Sequence, residues 1–143
     1  MSTSIGPSGP IPPFDPMEFL NLARLSVNTT SSEAMLRTSV GRTYYALFLI
    51  ARERLFPGPV PPRTVRRKSL KGRSEQVGVH KAVIDEVLKR DTATGGKLQK
   101  LMELRHAADY WLTPYPHASA DWRKNWQDSD VIARQIISRI QRI

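Results

Sequence analysis

The chain has 143 residues, enough for a single domain with a substantial hydrophobic core. It contains no cysteine, so disulfides and thiolate metal sites are excluded, and its three histidines show no metal-ligand spacing. No apolar run approaches the ~20 residues of a membrane span, and the N-terminus carries no secretory pattern. A cytoplasmic location is therefore expected.

The net charge of +9 predicts an anionic partner, but the charge is unevenly placed. Six basic residues without an acidic one lie between positions 63 and 73, which leaves only +3 for the rest of the chain. They are Arg63, Arg66, Arg67, Lys68, Lys71 and Arg73. Two interpretations stay open, a solvated connector and a nucleic-acid contact.

Residues 1–14 are rich in serine, glycine and proline and predict a disordered tail, followed by one domain over residues 15–143. Asp15 is the expected N-cap of a first helix that ends near Val27. A second and longest helix is predicted over about residues 32–56. Gly41 lies inside it, where glycine costs about 1 kcal/mol and close approach of another helix would explain it.

Residues 57–74 are proline-rich and then basic, which predicts an irregular, mobile segment. Further helices are expected over about residues 76–90, 97–112 and 129–142, with a break at 91–96. Trp122 and Trp126 precede the last helix at a spacing that favours packing. Because no strand alternation is found, the sequence predicts an all-α bundle of four or five helices.

The helix predicted over residues 97–112 carries an arginine on its apolar stripe. Arg105 follows Leu98 and Leu101 at helical spacing, and Asp109 lies one turn further on. An inward-facing arginine must be paired or meet an anion, because a desolvated unpaired charge is very costly. Two interpretations follow: an Arg105–Asp109 ion pair that holds the core together, which spacing alone favours, and a semi-buried arginine that binds phosphate.

Three features in this order resemble small prokaryotic HEPN-domain proteins. They are the segment LRTSVGRTYYALFLIARERLF (residues 36–56), His80 near the start of the third helix, and the segment LMELRHAADY (residues 101–110). The match is to the subgroup with an R-x-Y-Y-A-x-F pattern on the second helix and R-x-x-A-D-Y on the fourth, and it covers roughly residues 16–112.

The resemblance implies an antiparallel helical bundle, commonly a homodimer joined through the helices with the arginine motif. Many HEPN proteins are metal-independent endoribonucleases, frequently toxins or parts of defence systems, and others are non-catalytic RNA- or nucleotide-binding modules. The catalytic motif has an arginine, a polar residue beside it, and a histidine after four to six intervening residues. Arg105 and His106 match the first two places, but the third, at positions 110–112, begins with Tyr110 and holds no histidine.

Metal-free RNA cleavage needs an acid, a base and a cation on the phosphate. Arg105 suits the cation because its planar fork donates two hydrogen bonds to phosphate oxygens. Phenols, with a pKa of about 10, are poor bases at neutral pH, so Tyr110 is an expected hydrogen-bond donor or acid. His106 would converge with Arg105 only across a two-fold dimer. Asp109 would orient or neutralise Arg105.

The sequence therefore predicts a HEPN-like RNA- or nucleotide-binding protein with a phosphate-binding cleft around Arg105, in a toxin–antitoxin or defence system. The alternatives are a ribonuclease using Arg105, His106, Asp109 and Tyr110, and a non-catalytic scaffold. Arg42 joins the six basic residues as a candidate nucleic-acid contact, and Arg37 is an equally ordinary surface residue. A second copy of the chain and a cognate antitoxin or defence-complex protein are the expected partners, with no cofactor, metal or membrane. His80 is predicted to pack, with Tyr44 in the core and Tyr45 in the cleft.

Overall fold

A computed structural model describes residues 14–58, 64–68, 71–112 and 118–143. The described elements are α1 (Met17–Leu25), α2 (Glu33–Leu55), β1 (Thr64–Lys68), β2 (Ser74–Gly78), α3 (Val79–Arg90), α4 (Thr92–Tyr110) and α5 (Trp122–Gln141). The fold is therefore largely helical, as predicted. Residues 1–13 of the predicted tail, Arg63 and His117 lie outside the described residues. Phe14, the last residue of that tail, packs its ring 4.9 Å from Phe19.

The long helix α2 is the centre of the bundle and packs against α1, α3, α4 and α5. Ser32 caps its start, since the serine side chain accepts a hydrogen bond from the amide of Met35. One cluster of buried side chains joins α2 to α3, α4 and α5. A second cluster contains Trp122 and Trp126, so the prediction that these rings pack is confirmed. No helix in the described ranges is both long and apolar enough to cross a membrane.

The all-α prediction is wrong for the basic segment, because β1 and β2 form an antiparallel hairpin. β1 lies in residues predicted to be irregular, and β2 extends into residues predicted to begin the third helix. Because β2 extends to Gly78, α3 starts at Val79 and not near residue 76 as predicted. Its strands are polar, and ion pairs hold them in place. Arg67 bonds Glu75 across the hairpin at 3.1 Å and Asp85 on α3 at 2.7 Å. Alternation of apolar and polar residues, the usual sequence signal for a strand, does not predict a hairpin that ion pairs hold together.

Two helices begin earlier than predicted because aspartates cap them. Asp91 accepts hydrogen bonds from the amide and hydroxyl of Thr94, so α4 starts at Thr92 where a break was expected. Asp121 accepts from the amides of Arg123 and Lys124, which starts α5 seven residues ahead of the expected position. The tryptophans predicted to precede the last helix therefore form its first two turns.

Close helix contact occurs at Gly95 and not at Gly41. A Cβ atom at Gly95 would lie 2.6 Å from both the backbone nitrogen and the Cα of Leu88, so α3 and α4 touch through this glycine. A Cβ atom at Gly41 would meet only Asp109 Oδ1 at 3.8 Å and Arg105 Cγ at 4.0 Å, which is ordinary contact. The predicted close approach at Gly41 is wrong, and the space at that position remains open.

Candidate functional site

Arg105 lies between α4 and α2 with only 13% of its side chain exposed. Its Nη2 donates a hydrogen bond of 2.7 Å to the hydroxyl of Tyr45, and its Cζ lies 5.0 Å from the centre of that ring. Its Nε lies 2.9 Å from Asp109 Oδ2, so the predicted ion pair is confirmed. The prediction that Tyr44 is core and Tyr45 partly open is also confirmed.

The ion pair does not enclose the guanidinium of Arg105. The side chain of Asp109 is 39% exposed, and the buried Nε of Arg105 finds no aligned hydrogen-bond acceptor among the described residues, although the carboxylate is close. The arginine is thus kept out of bulk water, whereas the carboxylate that pairs with it is open to solvent.

A groove of about 250 Å³ runs between α2 and α4 beside this arginine. Its lining residues are Thr38, Gly41, Arg42, Tyr45 and Asp109. Gly41 keeps the groove open, since a side chain there would extend over the ion pair. Pockets for whole small molecules are typically about 300–1,000 Å³, so this groove suits a phosphate-sized group better than an entire nucleotide.

His80 packs as predicted, and its environment fixes its protonation state. Its ring stacks on Phe48 with the centroids 4.0 Å apart, and its Nδ1 lies 2.8 Å from the hydroxyl oxygen of Tyr44. Burial raises the pKa of the Tyr44 hydroxyl, which therefore stays protonated and shares one hydrogen bond with Nδ1. Which of the two groups donates depends on the tautomer of the imidazole.

Positive charges surround this imidazole. Burial, followed by the charges of Arg105, Arg52 and His106, lowers the pKa of His80 below its ordinary value. The ring is therefore neutral at pH 7 and stands within the field of two arginines. Sequence reasoning missed Arg52 and placed His80 in the core alone. The available signal was the i, i+4 series Tyr44, Phe48 and Arg52 on one face of α2.

Acidification from about pH 7.5 to about pH 5.5 should lower the free energy of unfolding through His80. The unfolded chain takes up a proton near the ordinary histidine pKa of about 6.5, whereas the lowered pKa of folded His80 delays uptake, so the unfolded state binds more protons in this window. Urea unfolding at both pH values measures the loss. His80→Gln should remove it, and His106→Gln should retain most of it. An unchanged pH dependence in His80→Gln would contradict the assignment.

The other two residues of the predicted catalytic group lie outside the groove. His106 is exposed on α4, and its ring centroid lies 5.7 Å from that of Tyr110, whose surface is 67% exposed. The Cζ of Arg105 is 6.0 Å from the Tyr110 ring. The structure thus brings Arg105 and Asp109 together at the groove and leaves His106 and Tyr110 at its outer edge.

Some of the predicted nucleic-acid contacts are bonded to neighbouring side chains, and others are described only by their exposure. Arg67 is occupied by Glu75 and Asp85, as described for the hairpin, and Arg66 donates to the Ser74 hydroxyl at 3.1 Å. Three further members of the basic segment are exposed: Lys68, Lys71 and Arg73. Arg42 is exposed on α2 and lines the groove. Among the described candidates, Arg42 alone lines the groove, together with Tyr45 and Asp109, which both contact Arg105.

Arg37 has a structural role at the end of α4. Its guanidinium donates to the carbonyl oxygens of Ala107, Ala108 and Trp111, which lie at the C-terminal end of α4. It also lies 4.4 Å from the centre of the Trp122 ring. Arg37 therefore fixes the end of the helix that carries Arg105.

Comparison of the chain with protein-family models, with curated proteins and with solved structures gives no match. The HEPN resemblance therefore rests on the sequence motifs alone. Across the described ranges, no group of three or more His, Asp or Glu side chains is placed to hold a metal ion.

Proposed function

We propose that this protein binds RNA or a nucleotide through a phosphate group in the groove beside Arg105. The observation that carries this proposal is a guanidinium only 13% exposed, paired with a carboxylate that is itself 39% exposed and that lines an open groove. Phosphate oxygens match the planar fork of arginine, and partial burial strengthens such a contact.

The charge balance of the groove supports an anion over a purely structural ion pair. Arg42 and Arg105 face a single carboxylate, that of Asp109, among the lining and contacting residues. Tyr45 accepts from Nη2 of Arg105 and Asp109 pairs with its Nε, so this residue also joins α4 to α2. The scaffold interpretation leaves the open groove, with Arg42 in its lining, without a purpose.

A more specific identity follows from the motif resemblance. Tyr45 belongs to the R-x-Y-Y-A-x-F pattern and Arg105 and Asp109 to R-x-x-A-D-Y, and these residues meet at the groove. Our proposal is a HEPN-like module, paired as a homodimer through α4, in a toxin–antitoxin or defence system. A cytoplasmic location belongs to the same proposal.

Ribonuclease activity is the second candidate. The observation in its favour is that the Tyr45 ring, whose hydroxyl accepts from Arg105, meets the His80 ring edge-on at 6.1 Å, which puts an imidazole near the phosphate-binding cation. An imidazole is the acid–base group that metal-independent cleavage requires. Exposed His106 is the side chain that a second subunit would meet.

Arg105→Ala should weaken binding of a short fluorescent oligouridine about tenfold or more, because a hydrogen bond to a charged group contributes about 1.5–3 kcal/mol. Fluorescence anisotropy at about 50 and 200 mM salt measures this. Arg134→Ala is the matched control, since Arg134 on α5 also pairs with a carboxylate at i, i−4 spacing. Circular dichroism and urea unfolding verify that both variants fold.

Equal affinity of the Arg105 and Arg134 variants would contradict the proposal. The same samples, incubated with total RNA in EDTA, distinguish the two candidates. Cleavage that disappears in Arg105→Ala identifies a ribonuclease, whereas binding without cleavage identifies a non-catalytic module. Failure of the wild type to bind any RNA or nucleotide leaves the scaffold.

A further inference from the structure

A second arginine on α2 has no carboxylate partner among the described residues. The Cζ of Arg52 is 5.7 Å from the centre of the Phe48 ring, one turn earlier on α2. Its Nε is buried and has no hydrogen-bond acceptor in the described part of the chain. The charge of Arg52 is therefore able to attract an anion.

A continuous row of side chains connects the two arginines. Tyr45 bonds Arg105, the Tyr45 ring meets His80 edge-on at 6.1 Å, and His80 stacks on Phe48. Arg52 lies over Phe48 at the other end of this row. Both guanidinium charges depress the pKa of the His80 ring, so their fields overlap there.

The spacing of the row indicates more than one bound phosphate. Arg52 follows Tyr45 by seven residues, which is two helical turns or roughly 10 Å along the axis of α2. Tyr45 bonds Arg105 at one end of this interval and Arg52 lies at the other, an arrangement that suits successive phosphates of one strand better than a single phosphate. An anion at the Arg52 end would also reduce the repulsion that two like charges exert across a neutral imidazole.

We propose that Arg52 and His80 form a second phosphate subsite beside the Arg105 groove, so that the ligand is a single-stranded RNA segment with at least two phosphates rather than a mononucleotide. Arg52 supplies the charge, and the ring of His80, stacked on Phe48 beside it, supplies a neutral imidazole. This inference rests on the proposed function, since it extends the Arg105 site.

Arg52→Ala and Arg54→Ala provide a charge-matched pair on the same helix. Arg54 is exposed, and its Nε donates to the carbonyl of Ile143 on a different face. Loss of one phosphate contact should make the slope of log affinity against log salt about 0.7 shallower for oligouridine. We expect this change, with about fivefold weaker binding, in Arg52→Ala and not in Arg54→Ala. Binding of uridine monophosphate should depend on Arg105 and be unaffected by Arg52→Ala.

The outcomes separate the two proposals. If Arg105→Ala weakens binding while Arg52→Ala matches Arg54→Ala, the second subsite is overturned and the Arg105 site stands. Uridine monophosphate binding as tightly as oligouridine, or polyglutamate competing equally well, also overturns the second subsite. Failure of every arginine variant to alter binding overturns both proposals. Arg52→Gln, which keeps most of the side-chain length, replaces Arg52→Ala if the alanine variant unfolds.

Discussion

Gly95→Ala is expected to destabilise the protein by about 2–3 kcal/mol, although alanine is the better helix former. The added Cβ would lie 2.6 Å from the backbone of Leu88, and backbone atoms in the middle of a helical turn cannot move aside independently. Helices α3 and α4 would have to separate, which would loosen the packing of Val87 and Leu98 in the main core cluster. The loss should exceed the ~1 kcal/mol that alanine gains in helix propensity.

The neighbouring glycine provides the control for this prediction. Gly96 is exposed on α4, and a Cβ atom there would meet nothing within 4 Å. Gly96→Ala should therefore stabilise the protein by about 1 kcal/mol. Urea unfolding of both variants should show shifts of opposite sign. A Gly95→Ala variant as stable as Gly96→Ala would show that α3 and α4 do not pack closely at this point.

Hydrophobic periodicity was sufficient to predict most of the bundle. Val40, Tyr44, Leu47 and Ala51 recur on one face of α2, and all four are buried. The i, i+4 spacing of Arg105 and Asp109 likewise predicts their ion pair, because residues one turn apart on a helix must be neighbours. Contacts within one helix are encoded locally, so the sequence is enough to predict them.

The errors occur where polar contacts decide the structure. The basic hairpin depends on Arg67 meeting Asp85, which lies 18 residues away on another element. Asp91 and Asp121 each start a helix through a single side chain, and two adjacent glycines after Asp91 weigh against a helix in any propensity count. Leu112 illustrates the limit of periodicity, because it continues the apolar stripe but lies beyond the end of α4 and is almost fully exposed.

In the candidate site, too, contacts within one helix could be predicted and contacts between elements could not. Arg105 and Asp109 share a helix and could be predicted together. Tyr44, Phe48 and Arg52 share one face of α2 by their spacing, but His80 joins them only because α3 packs its first turn on Phe48, which no spacing within one helix indicates.

Gly41→Leu is expected to weaken oligouridine binding more than about 100-fold, because the side chain would keep phosphate away from Arg105 and Arg42 together. The Cβ itself fits, with Asp109 Oδ1 at 3.8 Å and Arg105 Cγ at 4.0 Å as its nearest atoms. The rest of the leucine would extend into the groove of about 250 Å³. Stability should be unchanged or higher, since leucine replaces glycine inside a helix.

Gly41→Ala tests whether the leucine variant loses binding because its side chain fills the groove or merely because the glycine is replaced. Alanine adds only the Cβ that fits, so it should stabilise α2 by about 0.5–1 kcal/mol and leave oligouridine binding close to that of the wild type. Anisotropy and urea unfolding on the three proteins give affinity and stability independently. If the leucine variant binds as the alanine variant does, the ligand occupies another surface, and the exposed basic residues of the hairpin become the next candidates. A stable leucine variant that no longer binds would place the phosphate between α2 and α4, where the glycine leaves Arg105 accessible.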